Sequence, residues 1–162
     1  MPSYPAGYIA PSVAVTTPAN PTAPASTSAT YLMQGLAAVL TPATPAANIA
    51  VTIQGYFTDT ATTVGEGIAL QLYYGPVLNG VAPPANAAAV PASAVTLGNP
   101  LKWATGVTLT TAADLFEMFN IDGLAKGLTP GQQYWFDLGA YSITTASAVG
   151  LNSVTVILQE IG

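Results

Sequence analysis

The chain has 162 residues, two lysines, no arginine and seven carboxylates, so only 6% of its residues are charged, against about 25% in typical soluble domains. Nucleic acid and anionic membranes are disfavoured as partners, because phosphate groups are bound through clusters of Lys and Arg. Without Cys or His, disulfides, thiolate chemistry, zinc sites and imidazole catalysis are excluded, and with them most enzyme classes.

Residues 1–29 contain six prolines among Ala, Ser and Thr, a composition that favours polyproline II or coil. We expect an N-terminal arm here, followed by one folded domain over 30–162. A disordered tail is the alternative. No basic region with an apolar run begins the chain, so we expect synthesis in the cytosol without an export signal. Five apolar side chains of the arm are candidates for contact with a partner: Tyr4, Tyr8, Ile9, Val13 and Val15.

Alternating apolar residues then predict the first strands. Residues 30–40 fit a strand or a short helix, and flanking Gly and Pro favour the strand. Over 48–57, Ile49, Val51, Ile53 and Phe57 share one face, as in a half-buried strand. Residues 68–74 alternate in the same way, and we expect these two strands to pair as neighbours.

The segment 75–100 has five prolines and many alanines, and only 94–97 suggests a strand within it. Irregular segments of this length are uncommon in compact domains unless they have a function. The segment is therefore either a subunit or host contact, or a tolerated surface insertion.

Further strands are expected at 107–110, 114–121, 134–141 and 151–161, although 114–121 also fits a helical face. Eight or so short strands separated by turn residues predict an all-β fold. We expect an antiparallel β-sandwich, with jelly-roll or Greek-key connections and almost no helix.

The sequence LTPGQQYWFDL at 128–138 contains a turn and the start of a strand. Pro and Gly favour successive positions of a tight turn. A leucine followed by Pro-Gly, with a tyrosine six residues after the leucine, resembles the tyrosine corner of Greek-key sandwiches. That resemblance implies that the Tyr134 hydroxyl bonds to the turn backbone and assigns four residues to the corner: Leu128, Pro130, Gly131 and Tyr134. An ordinary tight hairpin is the alternative.

Carboxylates are the remaining candidates for chemistry. Asp114 and Asp122 would share one face of a strand and Glu117 the other, with no sign of a cleft, so we expect no catalytic site. Asp59 and Glu66 flank a polar turn that matches no calcium-binding loop. Asp137 alternates with apolar residues, which places it on the outer face of its strand with Trp135.

Aromatic residues on outward positions could contact another subunit or stack on a glycan. Because so few charges protect the surface from association, subunit packing is the preferred reading. The residues are Tyr56, Tyr73, Trp103, Trp135 and Tyr141.

Three sequence stretches carry a further resemblance: YLMQG at 31–35, QLYYG at 71–75 and GLTPGQQYWFDL at 127–138. Together they resemble small β-sandwich proteins of tailed bacteriophages, found as head decoration proteins, head fibres or fibre-tip modules. The resemblance implies a non-enzymatic virion protein located on the capsid surface. Its partners would be the major capsid protein or another virion protein, and no cofactor is expected.

The low charge and this resemblance together predict a homo-oligomer, with a trimer as the preferred form, that decorates a capsid and attaches through its N-terminal arm. A receptor- or glycan-binding tip domain is the first alternative. An enzyme acting on polysaccharide is the second.

Overall fold

The computed structural model describes residues 9–21, 30–59, 65, 67–78, 82–104, 115–143 and 149–161. These residues form no helix, and the expected antiparallel β-sandwich is confirmed. The nine described strands are β1 (Val13–Val15), β2 (Leu32–Met33), β3 (Ala38–Leu40), β4 (Asn48–Asp59), β5 (Gly67–Pro76), β6 (Val95–Ala104), β7 (Leu115–Ala125), β8 (Tyr134–Ser142) and β9 (Val149–Ile161).

The strands form two antiparallel sheets. In the first sheet the order is β1-β9-β4-β7, and in the second it is β2-β8-β5-β6, with β3 also paired to β8. This interleaved order is that of an eight-stranded jelly roll whose second strand is divided into β2 and β3. Of the two sandwich topologies that the sequence left open, the chain therefore has the jelly roll.

The expectation that strands 48–57 and 68–74 pair with each other is wrong. β4 pairs with β7 and β9, whereas β5 pairs with β6 and β8 in the other sheet. The connection from β4 to β5 crosses from one sheet to the other, as most connections of a jelly roll do, so these two sequence neighbours do not pair. The strand assigned at 114–121 is β7, which confirms the strand over the helix.

The core lies between the two sheets and is made by one face of each strand. Ile49, Val51, Ile53 and Phe57 of β4 are all buried there, as their alternation predicted. Across from them lie Leu70 and Leu72 of β5, with Phe136 and Leu138 of β8.

Residues 9–21 are not a separate arm, because they form an edge of the first sheet. β1 pairs with β9, and Ala19 exchanges two backbone hydrogen bonds with Val154, of 2.9 and 2.8 Å. The sequence explains the pairing: six residues without proline lie between Pro11 and Pro18, and two of them are valines, which favour strands. Tyr4 and Tyr8 lie outside the described residues.

The irregular part of the segment 75–100 is shorter than expected. β5 continues to Pro76 and β6 begins at Val95. Residues 82–94 lie against the chain itself, where Ala87 N donates to Met33 O and Met33 N donates to Ala88 O, both at 2.8 Å. The strand expected at 107–110, together with Glu66 and Asp114, falls outside the described residues.

Candidate interaction surface

The turn before β8 has the geometry of a tyrosine corner. Tyr134 is buried, and its hydroxyl accepts a hydrogen bond of 3.1 Å from the backbone nitrogen of Thr129. Gly131 has a φ of 78°, a left-handed conformation that suits glycine, and its nitrogen donates to Pro42 O at 2.8 Å. The corner therefore joins β8 to the turn before β4.

The outer face of the second sheet is covered by the chain itself around β2, β5 and β8, whereas most of the edge strand β6 is exposed. Asp137 and Trp135, expected on the outer side, are 0% and 4% exposed. They do point away from the core between the sheets, but Tyr31, Val39, Val77, Val90 and Ala94 pack over this side around Met33, Tyr73 and Trp135. The expectation that Asp137 lies on the outer side of its strand with Trp135 is therefore confirmed, but this side is covered by other segments of the chain.

Asp137 connects β8 to the loop after β2. Its Oδ2 accepts a hydrogen bond from Gly35 N at 2.9 Å, and its Oδ1 accepts from Leu36 N at 3.1 Å and Leu138 N at 2.7 Å. Burial raises the pKa of Asp137 from 3.8 to about 6, and these backbone hydrogen bonds only partly oppose the shift. The carboxylate is a structural group that fixes the loop.

The five aromatic residues proposed as a contact surface do not lie together. Tyr73, Trp135 and Tyr141 are buried, and the ring of Tyr31 packs edge-on against Tyr73 and Tyr141, with centroids 6.0 and 4.8 Å away. These three side chains therefore do not form an exposed stacking platform.

Trp103 and Tyr56 are both half-buried, but they are placed differently. The Trp103 ring packs against Phe57 of the core, with centroids 4.8 Å apart. Tyr56 alone among the five lies on the outer face of the first sheet, where it pairs with Met118.

This outer face of the first sheet is open, in contrast to that of the second. Its side chains form rows across the strands, as the pairing registers show. The rows are Val13, Gln159, Ala50 and Leu124; Val15, Ile157, Thr52 and Asp122; Thr155, Gln54 and Asn120; and Tyr56 with Met118.

The open face is apolar or uncharged except at one position. Val13, Val15 and Met118 are 61%, 62% and 88% exposed. Among the rows just described, Asp122 is the one charged side chain, and its carboxylate accepts a hydrogen bond of 2.6 Å from the Thr52 hydroxyl. Such a surface lacks the interspersed charges that normally keep domains apart.

A depression of about 460 Å³ lies on the open face where the register between β4 and β9 shifts. Gln54, Tyr56, Met118, Asn120 and Ser153 line it. It combines an aromatic ring, two amide side chains and a thioether without a charged group.

At the other end of the first sheet, Glu160 fixes the N-terminal segment. Its carboxylate is buried and accepts hydrogen bonds from Ser12 N, Ala43 N, Thr44 N and the Thr44 hydroxyl. Burial alone would raise the pKa of Glu160, but these four donors outweigh it and lower the pKa to about 2. Three chain segments therefore meet at one ionised group.

The other carboxylates of the described chain do not form a site. Glu117 and Asp122 lie on opposite faces of β7, as their spacing predicted. In the described ranges no group of three or more Asp, Glu, His or Cys side chains is placed to hold a metal ion. The same ranges contain no helical segment with the length and hydropathy of a membrane span.

The sequence matches no protein-family model and no curated protein. Among solved structures, 98% of the chain aligns with 37% of a chain in the infectious bursal disease virus VP2 subviral particle, at 10% identity and a TM-score of 0.36. A structure of the Gt strain of that virus aligns over 99% of the chain and 42% of its own, at 14% identity and a TM-score of 0.28. The chain thus spans less than half of each of these chains, and likeness at this level gives no information on function.

Val13, Val15 and Tyr56 of the open face were among the predicted contact residues, but Met118 of the same face and the buried Glu160 were not. Met118 had a signal, because it alternates with Phe119 and Ile121 and so must point away from the core once 114–121 is a strand. Glu160 had none, since its donors lie more than 100 residues away.

Proposed function

We propose that this protein is a non-enzymatic structural component of a virus particle that associates with copies of itself, as a capsid decoration or cement protein does. The observation that carries the proposal is the contrast between its two outer faces. One is covered by the chain's own segments, whereas the other exposes Val13, Val15 and Met118 with a single carboxylate. Contact with a neighbouring subunit is the usual way to cover such a surface.

Two further arguments support this proposal. Jelly-roll sandwiches are used by viral capsid domains and by lectins, although a fold alone does not define a function. The three stretches at 31–35, 71–75 and 127–138 resemble phage head and fibre proteins. A trimer on the capsid surface, bound to the major capsid protein, is the specific form that we propose.

We assign attachment to the capsid to a shorter N-terminal segment than the one predicted from the sequence. Because residues 12–20 are bound to β9 of the same chain, they are not free to extend to another protein. We therefore assign attachment to Tyr4 and Tyr8, together with Ile9, which lies four residues before β1 and is 48% exposed.

Purified particles from the source of this sequence test the virion role. On a denaturing gel we expect a 16.3 kDa band at an intensity comparable to that of the main shell protein. A band at a few copies per particle would instead fit a fibre tip. Absence of the band from intact particles would overturn the proposal.

A receptor- or glycan-binding tip domain is the second candidate, and the depression beside Tyr56 favours it. An aromatic ring flanked by the amides of Gln54 and Asn120 can stack on a sugar ring and hydrogen-bond its hydroxyls. On an array of neutral glycans, Tyr56→Ala should abolish any binding shown by the original chain. Thr155→Ala, on the same face but outside the lining, is the matched control. Failure of the original chain to bind any glycan would eliminate this candidate.

A further inference from the structure

The two sheets have four edges, and three of them carry a feature that opposes pairing with another chain. β1 is three residues long and lies between Pro11 and Pro18, and β2 has two residues. β6 contains Pro100 and Lys102, and its register with β5 is shifted. Short edges, prolines, lysines and bulges are the usual protections of an edge strand.

The fourth edge, β7, has none of these four features. It runs for 11 residues in uninterrupted register with β4, its one partner among the described strands, and it contains no proline or lysine. Met118, the fourth residue of β7, is the most exposed large apolar side chain of the described residues, at 88%. A long, regular edge of this kind is a template for strand addition.

β6 of the second sheet approaches β7 near Gly123, where an added β-carbon would lie 3.0 Å from the β-carbon of Leu97. It also approaches through Gly98, where an added β-carbon would lie 3.4 Å from the backbone oxygen of Asp122. A glycine at this position keeps a side chain away from the edge of β7.

The sequence of β7 is self-complementary in one antiparallel register. If Ile121 faces Ile121 of a second copy, Met118 faces Leu124, and both are exposed apolar side chains. Asn120 faces Asp122, an amide donor opposite a carboxylate. Glu117 faces Ala125, so no two like charges are directly opposed.

We propose that β7 pairs antiparallel with β7 of a second copy, about a two-fold axis at Ile121. The two four-stranded sheets then form one continuous eight-stranded sheet. The inference deepens the self-association of the proposed function and rests on that part of it. It assigns the contact to a strand edge and leaves the rest of the open face for other neighbours.

A two-fold contact joins chains in pairs and therefore cannot by itself close a trimer. Where the chain is trimeric, β7 lies at the outside of each trimer and joins it to the next one. Loss of the contact leaves single chains where the assembly is a dimer, and single trimers where the chain is trimeric.

Lysine substitution tests the edge in the full chain. Met118→Lys places an edge charge of the kind that blocks strand addition, and Gln159→Lys places the same charge on the same face but on the interior strand β9. Both side chains are exposed, so both variants should fold. By light scattering, we expect Met118→Lys to reduce the mass to that of a single chain or a single trimer, and Gln159→Lys to leave it unchanged.

Engineered cysteines test the register, because the chain contains no cysteine of its own. Met118→Cys and Leu124→Cys chains, mixed and oxidised, should form a covalent pair. Each variant alone should not, since the two Met118 positions would lie roughly 20 Å apart along the strands, beyond the reach of a disulfide. A mixture of Met118→Cys with Gln159→Cys is the negative control.

The outcomes separate this inference from the proposed function. An assembly that keeps its mass in Met118→Lys, or that cross-links as well with one cysteine variant as with the mixture, overturns the β7 pairing but not the virion role. A monomeric original chain at high concentration overturns both the pairing and self-association in solution. The particle gel tests the virion role independently of either result.

Discussion

Thr44 donates two hydrogen bonds to the same oxygen of Glu160, from its backbone nitrogen at 2.6 Å and from its hydroxyl at 2.7 Å. Ala43 N donates to that oxygen as well, and Ser12 N donates to the other one, both at 2.9 Å. A buried carboxylate is stable only when its oxygens are satisfied in this way. Glu160 therefore ties β9 to the edge strand and to the turn before β4.

Removal of the Thr44 hydroxyl should destabilise the chain measurably. Thr44→Val keeps the shape of the side chain but loses one charged hydrogen bond to Glu160, so we expect the free energy of unfolding to fall by about 2 kcal/mol. Urea unfolding measures the change. Thr41→Val, at an exposed position of the same turn, should change it by less than about 0.5 kcal/mol. Equal effects of the two variants would contradict the role of Glu160.

The two buried carboxylates predict a stability maximum near pH 4 to 4.5. The pKa of Asp137 is raised from 3.8 to about 6, so its contribution is complete below pH 3.8 and is lost as the pH rises through 6. The pKa of Glu160 is lowered from 4.5 to about 2, so its contribution is present above pH 4.5 and is lost as the pH falls through 2. Urea unfolding across pH 2 to 8 measures the profile.

Asp137→Asn tests the part of the pH profile that is assigned to Asp137. The original chain should lose about 2.5 kcal/mol between pH 4 and pH 7 through Asp137. The variant should be less stable overall, because an amide has one acceptor oxygen in place of two, but its stability should no longer fall across this interval. A variant that keeps the full slope would assign the pH dependence to other groups.

The Tyr134 hydroxyl should contribute to stability through Thr129. Tyr134→Phe leaves the buried ring in place but removes the acceptor for Thr129 N, with an expected cost of about 1 to 2 kcal/mol. Tyr74→Phe is the matched control, since its ring packs against Tyr134 and Phe136. Its hydroxyl makes no hydrogen bond within the described ranges. If Tyr134→Phe lowers the free energy of unfolding by less than a few tenths of a kcal/mol, the segment is an ordinary turn and not a tyrosine corner.

Two deletions at the start of the chain should differ sharply. Deletion of 2–8 leaves every described contact of the sandwich intact, so the unfolding midpoint should be unchanged while attachment to particles is lost. Deletion of 2–21 removes β1 and the Ser12 donor to Glu160, and it should lower stability by at least about 2 kcal/mol. If the chain without 2–8 still occupies particles fully, attachment lies elsewhere, first of all on the open face.

Strand positions and core faces could be predicted because they depend on local alternation. Ile49, Val51, Ile53 and Phe57 gave the buried face of β4 directly, and the Pro-Gly turn placed the start of β8. Pairing could not be predicted, since β4 finds its partners about 70 and more than 100 residues further on. No local pattern records which sheet a strand joins.

The covered outer face was also missed, although β8 carried a signal. Trp135, Gly139 and Tyr141 make its outward side nearly as apolar as its inward side, which is typical of strands buried on both faces. Asp137 obscured this pattern, because a carboxylate suggests solvent. Its donors, Gly35 and Leu36, lie about 100 residues earlier in the chain.

The place of β9 between β1 and β4 has a consequence for how the chain folds during synthesis. β9 comes last in chain order among the described strands, yet it is an interior strand of its sheet. Until it leaves the ribosome, β1 has no partner and β4 has an unpaired edge above an incomplete core. Folding of the first sheet must therefore follow synthesis of β9, and the strongly non-local pairing predicts a slow step. During that interval the unpaired edge of β4 is open to association with other chains.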